Sequence, residues 1–217
     1  MVLGEQTTIQ EMVLPTGDQR YTIAVPAGYT GDQPVPLVLA LHYGGEVTPF
    51  FSRTILVELI EPAWRELGAI IVAPDCPTNS WTDPRSEKVV LELLAFVEKN
   101  YAVDAQRRLI TGYSMGGAGT WYLAARNPDR FSAAVIMAGW PPQAIEDVEW
   151  KTPLVIIHSR QDEIVPLQPT EDIVNTLQVK GAPVKLVVLD GITHYEMFRF
   201  VEPLRKTASW VESVWRR

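Results

Sequence analysis

Gly112-Tyr113-Ser114-Met115-Gly116 sets a serine between two glycines in a Gly-x-Ser-x-Gly pattern. An apolar run, residues 108–112, precedes it, and a helical stretch, residues 115–127, follows. That context describes a strand-to-helix elbow, which presents a serine hydroxyl clear of the main chain. Such a turn strains the backbone at the serine, so its flanks have to be small. Gly112 and Gly116 meet that need. Gly117 and Gly119 each cost the following helix about 1 kcal/mol relative to alanine. Their presence implies that this helix packs closely on a sheet.

A serine hydroxyl is a weak nucleophile and needs a base, itself oriented by a third group. The chain has three histidines: His42, His158 and His194. In this type of fold the order along the chain is serine, acid, histidine. His42 precedes the serine. His158 follows it but ends a strand, with no acid at a strand terminus between the two. His194 lies in a polar loop four residues past Asp190, and it is the expected base. The acid is expected after the strand at residues 153–157, in His158-Ser159-Arg160-Gln161-Asp162-Glu163, and Asp162 is the choice. Glu163 is expected to point elsewhere, and Asp190 reads as a strand-end turn residue. Acyl transfer also needs amide donors where an oxyanion develops. Met115, after the nucleophile, would supply one. The loop Leu41-His42-Tyr43-Gly44-Gly45 would supply the other from Tyr43 or Gly44, with His42 holding the loop by hydrogen bonds.

Together the elbow, His42-Tyr43-Gly44-Gly45, Asp162 and His194 resemble the α/β-hydrolase carboxylesterases. The compact feruloyl-esterase and polyhydroxybutyrate-depolymerase-like esterases, with the related predicted-peptidase branch, are the most similar in pattern. Tyr101-Ala102-Val103-Asp104, Arg108-Leu109-Ile110-Thr111-Gly112 and Asn127-Pro128-Asp129-Arg130-Phe131 carry the same likeness. The oxyanion loop departs from it, with Tyr43 where glycine is common. The resemblance implies a serine carboxylesterase acting on short-chain or aryl esters, small or polymeric, with no cofactor and no metal. Alternatives are another acyl transfer on the same three residues (a peptidase, thioesterase or acyltransferase) and a silent hydrolase fold used for binding.

These residues need a framework that brings strand ends together. Residues 7–14 and 19–25, joined by Pro15-Thr16-Gly17-Asp18, read as a hairpin. Apolar runs without alternation follow at residues 37–41, 69–73, 108–112, 133–138, 153–157 and 184–189, as expected of parallel strands buried on both faces. Helical spacing appears between them at residues 55–67, 86–101, 115–127, 169–180 and 203–215. The alternation predicts one α/β domain over residues 1–217, with about eight mostly parallel strands and helices on both faces. Only about fourteen residues separate the runs ending at Ala138 and starting at Pro153, too few for a large cap, so an open cleft is expected. Trp81, Trp140 and Phe50 follow strands on the active edge and are candidates to line a substrate site.

The 217 residues carry 26 acidic against 19 basic side chains, a net charge of −7, which disfavours nucleic acid and anionic membranes as partners. Apolar residues make up 47%, enough for a sizeable core. The single cysteine, Cys76, excludes an internal disulfide and a cysteine zinc cluster. The first residues lack a basic and apolar leader pattern. The expectation is a cytoplasmic protein, or a secreted one if a leader has been trimmed.

Overall fold

The computed structural model describes residues 6–15, 17–142 and 148–216. Eight strands form a single open sheet in the order β1-β2-β4-β3-β5-β6-β7-β8. They are β1 (Thr8–Val13), β2 (Arg20–Val25), β3 (Val35–Leu41), β4 (Ile70–Pro74), β5 (Val103–Tyr113), β6 (Ala133–Met137), β7 (Leu154–Ser159) and β8 (Val184–Leu189). The β1–β2 hairpin and the β2–β4 pair are antiparallel, and the remaining pairs are parallel. Thr16, in the expected hairpin turn, lies outside the described residues.

The uninterrupted apolar runs follow from burial on both faces. On β3, Leu37, Leu39 and Leu41 pack with Leu93 and Leu94 of α3 (Pro84–Asn100), Trp121 of α4 (Met115–Arg126) and Leu177 of α5 (Leu167–Val179). Val38 and Ala40 point to the other face. There they join Leu56, Leu59 and Trp64, together with Leu204 of α6 (Val201–Arg205) and Val211 of α7 (Ala208–Trp215). Strand residues alternate faces, so neither face of a sheet covered by helices can be polar.

Two expected helices are broken. Residues 55–67 comprise α1 (Arg53–Ile55), a π-turn (Leu56–Ile60), α2 (Glu61–Trp64) and a 3-10 turn (Arg65–Leu67). Pro62 has no amide to give the carbonyl of Glu58, so a continuous α-helix cannot form through it. The last helix divides into α6 and α7. The Leu204 carbonyl there accepts both the Trp64 indole N–H (3.1 Å) and the Thr207 hydroxyl (2.7 Å).

The sheet reverses direction at β3, which has β4 on one side and β5 on the other. Ligands of open α/β sheets bind beyond the carboxyl ends of strands at such a switch point. The ends of β3, β5, β7 and β8 carry the segments that contain Tyr43, Ser114, Asp162 and His194.

Candidate active site

Ser114 occupies the turn between β5 and α4 with φ 56° and ψ −118°, a conformation that costs a non-glycine residue about 1–3 kcal/mol. Its amide donates to the Met137 carbonyl at 3.0 Å, tying the turn to β6. Only glycine fits at either side. A Cβ on Gly112 would stand 2.2 Å from the Gly116 carbonyl oxygen, and one on Gly116 would stand 1.9 Å from that of Leu41. Gly117 and Gly119 face Gly139 and Trp81 just as tightly, which seats α4 directly on the sheet.

His194 accepts the Ser114 hydroxyl at Nε2 (2.8 Å) and donates from Nδ1 to Asp162 Oδ2 (2.8 Å). All three side chains are buried or nearly so. The other carboxylate oxygen, Oδ1 of Asp162, accepts the amides of Ile164 (3.0 Å) and Val165 (2.7 Å). Burial pushes the Asp162 carboxyl upward, but the hydrogen bonds from His194, Val165 and Ile164 outweigh it, and the net shift is below the usual carboxylate range. The carboxylate therefore stays ionised beside the imidazole.

The main chain of His194 is fixed at both ends. Its amide donates to Glu163 Oε2 (2.9 Å), and its carbonyl accepts the Tyr113 hydroxyl (2.8 Å). Glu163 thus points at the histidine rather than away from it, contrary to expectation. Burial, with the Asp162, Glu163 and Glu196 carboxylates nearby, raises the Tyr113 phenol well above its ordinary value, so it remains a donor. Neither residue carries a sequence signal beyond adjacency, Tyr113 to Ser114 and Glu163 to Asp162.

The other two histidines are fully buried, and burial disfavours their charged forms. His42 donates from Nδ1 to the Tyr43 carbonyl (2.6 Å) and accepts the Cys76 amide at Nε2 (2.9 Å). A proton on Nε2 would oppose that amide. Its pKa is lowered, by burial above all. The ring thereby fastens the loop after β3 to the segment after β4. His158 donates from Nε2 to the Val165 carbonyl (2.8 Å) and pairs at Nδ1 with the Thr170 hydroxyl (3.2 Å); Asp162 Oδ2, 3.6 Å from Nε2, favours the charged ring, but burial outweighs it and the pKa is lowered. Asp190 is exposed and pairs with Arg160 at 3.2 Å, apart from this network.

A cleft of about 440 Å³ opens over the serine. Tyr43, Gly44, Ser114 and His194 line it, and Gly44 stands beside Met115. Met115 opens α4, so its amide has no acceptor within the helix. The far wall comes from Ile164, Tyr195, Met197 and Phe198, of which Tyr195 and Phe198 are 77% and 63% exposed. Three of these lie within four residues after His194, so the only signal for them in the sequence is their proximity to that histidine.

The expected aromatic lining is corrected. Trp81 is fully buried, donates its indole N–H to the His42 carbonyl (2.9 Å) and backs α4. Trp140 is exposed, outside the cleft. Phe50 also lies outside it, in a left-handed conformation (φ 59°) with its amide held by Asp75 (2.8 Å). The expectation of an uncapped cleft concerns a connection that includes residues 143–147, outside the described residues. Among the described residues, no cluster of three or more His, Cys, Asp or Glu side chains is placed to hold a metal ion, and no helix is long and apolar enough to cross a membrane.

An open, mostly parallel sheet with a serine at the β5–α4 turn and its partners after β7 and β8 defines a member of the α/β-hydrolase superfamily. Within it the chain belongs to the dienelactone hydrolase family, whose family model matches residues 68–217. Feruloyl esterase C of Emericella nidulans is 26% identical over 182 residues, covering 80% of this chain and 66% of that protein. The chain spans a little under two thirds of the length of the feruloyl esterase C relatives it matches. A solved ferulic acid esterase superposes with a TM-score of 0.76 at 20% identity, covering 96% of this chain and 99% of the other. A thermostable esterase gives 0.69 at 23% identity, covering 98% and 60%. At these identities the two structures speak to the fold.

Proposed function

We propose that the protein is a serine carboxylesterase that cleaves short-chain or aryl esters through an acyl-enzyme, with Ser114 as nucleophile, His194 as base and Asp162 as orienting acid. The observation that carries this reading is the pair of 2.8 Å hydrogen bonds linking Ser114, His194 and Asp162 at the floor of the cleft. The Ser114 oxygen adds to the ester carbonyl while His194 Nε2 takes its proton. The negative charge that develops on the carbonyl oxygen is met by the Met115 amide and by that of Tyr43 or Gly44. Donors of this kind are worth about 10²–10³ in rate each. The tetrahedral species collapses as the imidazolium returns its proton to the leaving alkoxide, which departs as the alcohol. Water, deprotonated by the same histidine, then releases the carboxylic acid and restores the serine.

Asp162 keeps the proton on Nδ1 and stabilises the imidazolium while it exists. The aromatic and aliphatic wall suits an apolar acyl or aryl group. The name borne by the sequence relatives, feruloyl esterase C, supports the aryl reading. The substrate is a small or polymeric ester, and none of these steps calls for a cofactor. The test combines fluorophosphonate labelling with 4-nitrophenyl esters of increasing acyl length and methyl ferulate, run beside peptide and thioester substrates. Labelling at Ser114, ester turnover, and loss of both in Ser114→Ala are expected. Turnover persisting in Ser114→Ala, or preference for the peptide or thioester, would overturn the reading.

A further inference from the structure

Ten residues line the cleft, and among them the sole acidic side chain is Glu58, with neither lysine nor arginine to balance it. Glu58 belongs to the π-turn (Leu56–Ile60), an element that recurs at functional sites. Leu56, Leu59 and Ile60 of that turn are fully buried, while Glu58 is sent out to the cleft. Among the described residues its carboxylate has no ion-pair or hydrogen-bond partner. No cation near the mouth is left to offset it: Arg199 is spent on Glu196 and the Gly191 carbonyl, while Glu163, behind the lining, keeps its charge as it accepts the His194 amide. An incoming ester therefore meets Glu58 as the one carboxylate that lines the cleft.

Resting on the esterase reading above, we propose that Glu58 makes the cleft select by charge, so that its substrates are uncharged or cationic esters and anionic ones are rejected. A carboxylate on the substrate would approach Glu58 at the protein surface, where like charges repel more strongly than in bulk water because the protein side is less polarisable. A neutral isostere suffers no such penalty, and an ammonium gains.

The test uses the 4-nitrophenyl esters of 4-carbamoylbenzoic, 4-carboxybenzoic and 4-(aminomethyl)benzoic acid, which match in size and differ in charge. In the wild-type protein kcat/KM for the carbamoyl ester should exceed that for the carboxy ester by about fivefold or more. The ratio should shrink with added salt. It should approach one in Glu58→Gln, and Glu58→Lys should favour the carboxy ester. A wild-type ratio near one, or one unchanged in Glu58→Gln, would overturn the charge selection while leaving the esterase intact. Failure of all three esters together with unlabelled Ser114 would instead overturn the esterase reading.

Discussion

The phenol of Tyr113 donates a 2.8 Å hydrogen bond to the main-chain carbonyl of His194, so the residue next to Ser114 holds the backbone of the proposed base. Glu163, next to the acid, holds the amide of the same residue. The loop after β8 has little regular structure of its own to fix an imidazole, and these two contacts supply the missing constraint. Removing either should loosen the geometry, and Tyr113, which also lines the cleft, keeps its ring there when changed to phenylalanine. Tyr113→Phe should lower kcat about fivefold, the worth of one neutral hydrogen bond. Glu163→Ala, which loses a charged acceptor, should lower it about 10–100-fold, and Glu163→Gln should recover much of the loss. KM should hold in all three. Steady-state kinetics on one ester checks this, and a rise in KM with constant kcat would count against it.

Asp190 is near His194 in sequence and Asp162 is near it in space, so the two aspartates differ in placement. Asp162 is buried and bonded to Nδ1 at 2.8 Å, whereas Asp190 is exposed and bonded to Arg160. Asp162→Asn should reduce kcat by up to about 10⁴ by favouring the wrong imidazole tautomer. Asp190→Asn should change little. The reverse ranking in the two kcat values would assign the acid to Asp190.

The framework, and the three side chains that the structure brings together as Ser114, His194 and Asp162, were legible because their signals are local. A strand buried on both faces has to read as an apolar run, and the elbow has to carry glycines beside Ser114. The aromatic lining was not legible. Trp81, Trp140 and Phe50 all follow strands on the correct edge, but strand-end position does not decide whether a side chain turns into the cleft or behind it. Trp81 turns behind, where Gly119 leaves room for its Cβ. The helix breaks at Pro62 and Thr207 were half visible: proline is a local signal, but the diversion of the Leu204 carbonyl depends on Trp64, distant in sequence. Glu163 was misread because its partner is a main-chain amide, which no side-chain pattern reports.

Gly116 allows a direct test of how closely α4 must approach the sheet. A methyl group there would meet the Leu41 carbonyl oxygen at 1.9 Å, against rigid backbone. Gly116→Ala should destabilise the protein by about 3 kcal/mol or more, beyond ordinary overpacking. Gly17→Ala, with nothing within 4 Å of the new methyl, should be close to neutral. Chemical denaturation of both variants decides this. Equal midpoints would mean that α4 can shift away from β3 at little cost.

Stability should fall as the solution is acidified through the range where free histidine titrates. His42 and His158 are both fully buried, and both have pKa values lowered from 6.5. Well above pH 6.5 they are neutral in the folded and unfolded chains alike, and they contribute no pH dependence. Below it the unfolded chain takes up protons that the folded one refuses, so unfolding is favoured. With both rings titrating only in the unfolded state, the slope approaches about 2.7 kcal/mol per pH unit, and it persists until the folded pKa values are reached. Asp162, whose pKa is lowered as well, adds a loss of the same sign only at lower pH, below the ordinary carboxylate value. Urea unfolding at pH 7.5, 6.5 and 5.5 should therefore give a shallow upper step and a lower one about three times as steep. His42→Gln and His158→Gln should each be less stable at pH 7.5, through the lost hydrogen bonds, yet each should show about half the wild-type slope below pH 6.5. A wild-type stability that stays level down to pH 5.5 would mean that both rings accept protons in the folded state, and that the Cys76 amide and the Thr170 hydroxyl do not hold their unprotonated nitrogens as the geometry requires.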